Sequence, residues 1–195
     1  MIRPTLRSLA LVVCAALVVA ACNSIPTRKG NTVESAPNAK IEVVNPTDIA
    51  VLPVENGTTS KKVPVKELRA ALEAGLVLRR YSPLATEFVD AKTVDAAFKP
   101  GSAREDAVLR VTIEGWDDAS WTSHGAIVLK LSARILDSRD GSLLWSGKLD
   151  RRFDLGKDRE HFTTEAPMRK LLCETVVGEL MSALPARTAK PGRAE

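Results

Sequence analysis

The chain lacks the motifs by which common enzyme classes are recognised, since it contains no GxSxG, GxGxxG, P-loop or HExxH pattern. Only two histidines occur, His124 and His161, and the second lies four residues before Glu165. A metal site formed by His161 and Glu165 is conceivable, but two ligands on a loop are weak evidence for one, and solvent-exposed histidines are the simpler interpretation. Asp117 and Asp118 follow a predicted strand, where aspartate commonly shapes a turn. The sequence therefore predicts no enzyme, no metal or bound cofactor, and no small-molecule substrate.

Aromatic residues and cysteines are also scarce. Aromatic residues make up 4% of the chain, so the core must be mainly aliphatic. None of the three cysteines, Cys14, Cys22 and Cys173, belongs to a CxxC pair. Cys173 lies near the apolar stripe of a predicted helix, which favours a buried, inert thiol over a reactive one.

The net charge of the chain is small. The whole sequence carries a formal charge of +4, and residues 1–21 account for two arginines and no acidic residue, so the remainder carries +2. A nucleic-acid-binding domain usually presents a strongly basic face, so a nucleic acid is not expected as a partner.

One long hydrophobic run is present, close to the N-terminus. Residues 9–21 are 13 uninterrupted apolar residues, and Arg3 and Arg7 precede them. A helix of this length would rise about 20 Å, whereas the hydrocarbon core of a bilayer is about 30 Å thick. The run is therefore too short to span a membrane well. It is typical of an export signal, which predicts a signal peptide over residues 1–21.

The last residues of this run resemble the lipobox of bacterial lipoproteins. The match is Val19, Ala20, Ala21 and Cys22, with valine where leucine is commoner. The resemblance implies cleavage before Cys22, a diacylglycerol on its sulfur and an acyl chain on the new amine, and two or three such chains anchor a protein firmly. A plain secretory signal and an uncleaved anchor are the alternatives. In lipoproteins of enteric bacteria, an aspartate after the cysteine favours retention in the inner membrane. Here the residue is Asn23, so the resemblance implies an anchor in the outer membrane, with the protein facing the periplasm.

Composition divides the rest of the chain into three parts. Residues 22–40 are rich in Asn, Ser, Thr, Pro and Gly and have no helical or strand period, which predicts a lipidated N-terminus and a flexible linker. Residues 41–185 contain periodic apolar patterns and are predicted to form one α/β domain. Residues 186–195 are predicted to be a disordered tail.

Within residues 41–185, strand and helix patterns follow one another. The predicted elements are a strand within 48–57 that is buried on both faces, a helix from Val65 that ends at Ser82-Pro83, a strand at 81–89, a short helix at 94–98, three alternating strands around 109–113, 127–135 and 145–153, and a helix over 165–183. Thr164 is predicted to cap the last helix, and Asp140-Gly141 to form the turn before the last strand. The predicted fold class is α/β (α+β), a mixed sheet with an antiparallel meander. Helices pack on one face, and the polar face is open to solvent.

Several segments resemble a family of periplasmic lipoproteins of Gram-negative bacteria whose function is unknown. They are DIAVLPVENG, YSPL with VDAAF, DAVLRVTIEGWDD and LSARILDSRDGSLLWSGKLDRRF, within about residues 47–184. Relatives of this family include the penicillin-binding-protein activator LpoB, the curli secretion lipoprotein CsgG and the N-terminal domain of TolB. The resemblance implies an α/β sandwich that serves as a protein-binding platform. The chain has no obvious long amphipathic hairpin of the kind that a CsgG-like pore inserts, so it is not expected to form a channel by itself.

Together these features predict a membrane-anchored, non-catalytic binding or assembly module of an envelope complex for secretion, transport or cell-wall synthesis. The expected partner is an envelope protein. A self-assembling structural lipoprotein, a homo-oligomer like a CsgG ring, is one alternative, and an enzyme with an unrecognised site is another. Trp116, Trp121 and Trp145 are candidate interface residues because tryptophan is common at binding hot spots, with core packing as the alternative. Lys130 and Arg134 are candidates because basic side chains on a polar sheet face would attract an acidic partner.

Overall fold

The computed structural model describes residues 33–35, 39–93, 98–156 and 164–188, all of which belong to one compact unit, Asn31–Glu195. The strands of these ranges are β1 (Glu34–Ser35), β2 (Asp48–Val51), β3 (Glu55–Asn56), β4 (Ser82–Pro83), β5 (Ala107–Asp117), β6 (Ala126–Asp137) and β7 (Leu143–Asp154). The helices are α1 (Ala39–Val44), α2 (Val65–Leu78), α3 (Thr86–Thr93), α4 (Trp121–His124) and α5 (Glu165–Ser182). In these described ranges no helix combines the length and the hydrophobicity that a membrane span requires.

The strands form one open mixed sheet in the order β1-β7-β6-β5-β2-β4, with β3 also alongside β5. β2 runs parallel to β4 and β5, and β3 runs parallel to β5. β5, β6 and β7 form a long antiparallel meander. The predicted fold class, a mixed sheet with an antiparallel meander, is therefore confirmed.

One face of the meander lies in the core. Leu131 is opposite Leu149 and Ile135 is opposite Trp145 across β6 and β7, and none of the four is more than 3% exposed. Successive side chains of a strand point to opposite faces, so the period-two pattern of the sequence places these residues together. Full burial of one large apolar side chain contributes about 1.5–3 kcal/mol, which makes this face a main source of stability.

Helices α2 and α5 pack against each other and complete the same core. Their buried apolar residues include Leu68, Leu72 and Leu76 of α2 and Met168, Leu172, Val176 and Leu180 of α5. The two helices approach closely at Gly75, where an added Cβ would lie 3.0 Å from side-chain atoms of Val177 and Met181. Close helix packing thus accounts for a glycine in a helix interior, where it otherwise costs about 1 kcal/mol relative to alanine.

The strand predicted within residues 48–57 is interrupted. β2 is buried on both faces as predicted, since Ile49, Ala50 and Val51 are at most 1% exposed. The strand ends at Val51, however, and pairing resumes only at β3. Pro53 lies between the two strands and has no N–H to donate to a ladder.

The strand predicted over residues 81–89 is largely wrong. Only Ser82–Pro83 pairs, with β2, and Thr86–Thr93 forms helix α3. Val89 is the one buried residue of α3, so this stretch lacks the repeated apolar alternation of a strand. The short helix predicted at 94–98 falls mainly on residues 94–97, which lie outside the described residues.

The last helix and the last turn follow the sequence patterns with one exception. α5 spans Glu165–Ser182, close to the predicted range. Thr164 occupies the N-cap position but makes no side-chain capping hydrogen bond, so the predicted cap is wrong. The turn at Asp140-Gly141 is confirmed, because Gly141 has a φ of +71° and the Asp140 carboxylate accepts a hydrogen bond from the Ser142 N–H at 2.8 Å.

Two short stretches beyond the predicted domain limits contact the domain. Upstream, β1 pairs with β7, with Glu34 opposite Lys148. Downstream, the Arg187 N–H donates to the Arg79 carbonyl at 2.9 Å, and the Asn45 side-chain amide donates to the Thr188 carbonyl at 3.0 Å. The predicted signal peptide and Cys22 lie outside the described residues.

Candidate interaction surface

Two of the three candidate tryptophans lie in the core. Trp145 is 1% exposed, and its indole N–H donates to the Ala183 carbonyl at 3.3 Å. Trp121 is 7% exposed and begins helix α4. A side chain must be accessible to contact a partner, so core packing describes both residues in this structure, and neither contributes to an exposed surface.

Trp116 is half-buried at the edge of the core. A β-bulge after Ile113 shifts the register so that Trp116 lies opposite Leu129, on the helix-covered side of the sheet. Its indole nitrogen is buried and has no hydrogen-bond partner in the described part of the chain. A small depression of about 10 Å³ beside it is lined by Trp121, Lys62 and other side chains, which leaves room for at most one water molecule.

The polar face of the meander is open and forms a surface of successive cross-strand rows. The first row is apolar, and in it Leu136 and Leu143 are accessible whereas Val108, at its end, is fully buried. The second row contains Arg110, Arg134 and Ser146, and the third contains Thr112, Ser132 and Lys148. The fourth row contains Gly115, Lys130 and Asp150. We refer to these four rows as the open face.

Lys130 is a member of an ion pair on the open face. Its Nζ lies 2.8 Å from Oδ2 of Asp150 on the neighbouring strand. This hydrogen bond, and then the charge of the carboxylate, raise the pKa of Lys130. The stem of Lys130 covers Gly115, where a Cβ would lie 3.1 Å from the Lys130 Cγ. Lys130 is therefore positioned by contacts inside the molecule, and its charge is partly compensated there.

Arg134 differs from Lys130 because no anion in the described part of the chain pairs with it. It is exposed and lies directly opposite Arg110, which is also exposed. Among the described residues, neither guanidinium has an ion-pair partner within 4.0 Å. Like charges directly opposite each other in a sheet are destabilising. The fold thus holds two cations side by side at the centre of its open face.

A shallow depression of about 260 Å³ adjoins Arg134. Its lining includes Ser132, Ser146, Lys148, Leu136 and Leu143. Leu143 is 42% exposed, so an apolar edge borders the polar floor of the depression. The surface thereby offers cations, hydroxyl groups and an apolar contact within three neighbouring rows.

The polar residues considered for catalysis serve local structure. The Asp117 carboxylate accepts a hydrogen bond from the Ala119 N–H at 3.0 Å, which forms the predicted turn. Asp118 lies 3.2 Å from the ammonium group of Lys62, and His124 Nδ1 is 2.7 Å from the Ser123 hydroxyl. His161 lies outside the described residues. No cluster of three or more potential metal ligands occurs among the residues that the structure describes.

The buried ionisable groups of Cys173 and Arg69 lie in the core or join elements of the fold. Cys173 is 1% exposed, and burial is the main cause that raises the pKa of its thiol to about 12, in agreement with the predicted inert thiol. Arg69 of α2 donates from Nη2 to the Val51 carbonyl at 2.7 Å and from Nη1 to Asp90 at 2.5 Å. Arg69 thus ties α2 and α3 to the end of β2.

Arg151 occupies the opposite side of the sheet from the basic residues around it. Its neighbours Lys148 and Arg152 are exposed on the open face. In the structure it is opposite Leu129, its guanidinium pairs with Glu179 of α5, and it lies 5.0 Å from the centroid of the Phe153 ring. This placement follows from period two, since Arg151 lies between Leu149 and Phe153 in the alternation of β7 and shares their face.

Sequence reasoning identified Arg134 but not its pairing with Arg110. The alternation in β5 and β6 places each arginine on the polar face. The register that makes them neighbours depends on the bulge in β5 and on the length of the connection through α4, and neither is visible as a pattern.

A second accessible surface lies between the two long helices. This groove of about 830 Å³ is lined mainly by small residues, among them Ala70, Ala74 and Gly178, together with Leu78. Leu78 is 84% exposed. The groove is mainly apolar, and the charged residues in its lining, Glu67, Lys170 and Glu174, include both signs, with Lys170 and Glu174 paired at 3.9 Å.

No protein-family model matches the chain, and no curated protein matches it either. Solved structures do match. A single-substitution variant of the PelC dodecamer from Paraburkholderia phytofirmans is 15% identical, covers 77% of this chain and 98% of its own, and has a TM-score of 0.50. The unsubstituted PelC dodecamer from the same organism is 14% identical with the same coverage and a TM-score of 0.49. Lipoprotein GNA1162 from Neisseria meningitidis is 20% identical, covers 67% of this chain and 96% of its own, and has a TM-score of 0.48.

At these identities, structural likeness reports on the fold alone. The described domain is similar in fold to PelC. This likeness agrees with the predicted α/β fold.

Proposed function

We propose that the protein is a lipid-anchored periplasmic lipoprotein that acts as a non-catalytic binding or assembly module of an envelope complex. Cys22 carries the diacylglycerol and an acyl chain, and the anchor holds the domain at the periplasmic face of the outer membrane. The partner is an envelope protein. The proposal assigns no catalytic residue, no metal and no other cofactor.

The observation that carries the binding role is the open face. The opposite face of the meander is covered by helices, whereas this face presents exposed Lys148, Arg110 and Arg134 beside an apolar edge. An extended surface on a rigid sheet suits a binding platform, because its groups are already held in place before a partner arrives.

The anchor is tested by labelling cells that express the protein with radioactive palmitate. The unsubstituted protein should incorporate label and fractionate with outer membranes, and Cys22→Ser should do neither. A Cys173→Ala variant is the matched control and should be labelled normally. Equal labelling of the unsubstituted protein and Cys22→Ser would overturn the lipid anchor.

The partner is tested by photo-crosslinking in intact cells. A photoreactive residue at position 132, on the open face, should yield a discrete crosslinked species that contains an envelope protein. A second position, 74, reports on the groove between α2 and α5. Absence of a discrete partner at both positions would contradict the binding role.

Self-assembly is the second candidate function. The observation that favours it is the fold similarity to PelC, which was solved as a dodecamer. Mass photometry of the full-length lipidated protein in detergent should then show a multiple of the protomer mass. A single protomer across the accessible concentration range would exclude this candidate and leave the partner-binding role intact.

A further inference from the structure

We propose that the paired arginines Arg110 and Arg134 form a docking site for an acidic segment of a partner protein, in which a carboxylate lies next to an apolar side chain. The inference rests on the proposed binding function and specifies where the partner docks and which chemistry it presents.

Charge is the first argument. Arg110 and Arg134 are directly opposite each other, exposed, and without an ion-pair partner in the described part of the chain. Two like charges in this position oppose sheet formation. A bound carboxylate removes that repulsion, and guanidinium groups present a planar set of donors that matches a carboxylate in two-point contact.

The surroundings of the arginines are the second argument. Lys130 already has Asp150 at 2.8 Å, and Arg151 has Glu179 on the other face. The nearby carboxylate of Glu55 accepts a hydrogen bond from the Thr112 hydroxyl at 3.0 Å. The arginine pair, with the exposed Lys148 in the next row, is thus a local excess of positive charge beside the matched Lys130–Asp150 pair, which favours an acidic group as the ligand.

The shape of the surface is the third argument, because it favours a ligand with an apolar side chain next to its carboxylate. The depression beside Arg134 holds about 260 Å³, which accommodates a side chain. Ser132 and Ser146 supply hydroxyl groups on its floor, and Leu143 forms an exposed apolar edge one row away. Rows in a sheet are two residues apart, or about 7 Å, a spacing that neighbouring side chains of a bound segment can bridge. A lipid surface would contact a broad convex patch rather than this concave site.

The experiment measures binding of fluorescent peptides to the full-length protein in detergent. The probe is a peptide of alternating glutamate and leucine, and the reference peptides alternate glutamine with leucine or lysine with leucine. We expect the acidic peptide to bind at least tenfold more tightly than either reference. Equal binding of the glutamate and glutamine peptides overturns the proposal.

Substitutions locate the site. Arg110→Gln and Arg134→Gln should each weaken binding of the acidic peptide about tenfold. Arg152→Gln is the matched control, because Arg152 lies on the same face, six residues along β7 from Ser146 and thus about 20 Å away. Arg152→Gln should change binding less than twofold. If it weakened binding as much as Arg134→Gln does, the effect would come from the total positive charge of the protein, and the assignment of the site would be overturned.

Two further measurements test whether Arg134 instead serves the fold and whether the ligand is instead a lipid surface. Arg134→Gln should keep or raise the melting temperature, since it removes a like-charge contact, and a clear fall would show that the arginine serves the fold. Vesicles that contain phosphatidylglycerol should bind Arg134→Gln as they bind the unsubstituted protein, and loss of vesicle binding without loss of peptide binding overturns the choice of partner.

The crosslinking experiment distinguishes this site from the broader binding function. A crosslink at position 74 but none at position 132 would refute this site while sustaining the broader binding function.

Discussion

The two faces of the β5-β6-β7 meander are built by the same three strands but differ in their exposure to solvent. On one face, Ile135 and Trp145 are nearly inaccessible under α5. On the other, Arg134 and Ser146 lie in the neighbouring positions and remain accessible. Each strand therefore contributes alternate residues to the core and to the open face, to which we assign the proposed binding function, and the two sets are separated by one residue in the chain. The predictions that follow test this separation.

The largest expected effect is on the covered face. Trp145→Ala should lower the free energy of unfolding by about 3–5 kcal/mol, because it leaves a large cavity in a packed core. Ser146→Ala, the next residue and on the open face, should change it by less than about 0.5 kcal/mol. Urea unfolding followed by circular dichroism measures both. Similar losses in the two variants would show that the faces are not separable.

Gly147 tests how tightly the covered face is packed. A Cβ on Gly147 would lie 2.7 Å from the Trp145 ring, so Gly147→Ala should cost about 1–3 kcal/mol. Gly178→Ala is the matched control in α5, where nothing lies within 4 Å of the added Cβ. The control should gain up to about 1 kcal/mol from helix propensity. A neutral result for Gly147→Ala would mean that the indole can move aside.

The pH dependence of stability tests the exclusion of water from the covered face. The pKa of Cys173 is raised by burial from 9.0 to about 12, so the unfolded thiol loses its proton at a lower pH than the native one. The contribution is fully present below pH 9 and is lost as the pH rises through 9 toward 12, with about 1.4 kcal/mol lost by pH 10. Cys173→Ala should remove this part of the decline. Tyr81, whose pKa is raised to about 12, contributes a separate decline in both proteins.

The smallest expected effect compares two adjacent arginines of β7. Arg151 pairs with Glu179 on the covered side, and Arg151→Ala should cost about 1 kcal/mol. Arg152→Ala, on the open face, should leave the unfolding midpoint unchanged within error. Chemical denaturation at low and at 1 M salt measures both, and the Arg151 effect should shrink at high salt because the pair is only partly buried. Equal effects of the two substitutions would contradict the assignment of Arg151 to the covered face.

The helices and long strands could be predicted because their apolar periods are strong. Leu68, Leu72 and Leu76 repeat at helical spacing, and residues from Ile127 to Ile135 alternate over a full strand length. The short elements gave no such signal. Two-residue strands such as Ser82–Pro83 owe their pairing to the neighbouring strand, and α3 buries only Val89, so tertiary contacts rather than local pattern decide them.

The candidate surface was only partly predictable for a similar reason. Lys130 and Arg134 stand at equivalent places in the alternation of β6, so the sequence treats them alike. The structure gives Lys130 an acidic neighbour on β7 and gives Arg134 a second arginine on β5. For the tryptophans, the structure removed candidates that the sequence had suggested. Their residue type suggested an interface, but two of them lie below 10% exposure because their strand or helix positions face the core.

The sequence by itself determined which side chains share a face, because alternation along a strand has period two whatever the strand pairs with. In the same way it determined the helical stripes that cover the core, and it carries the lipobox-like residues up to Cys22. Only the tertiary structure decided which residues become neighbours across strands. That depends on register, and a register shift of one residue, as at the bulge after Ile113, reassigns every cross-strand contact beyond it.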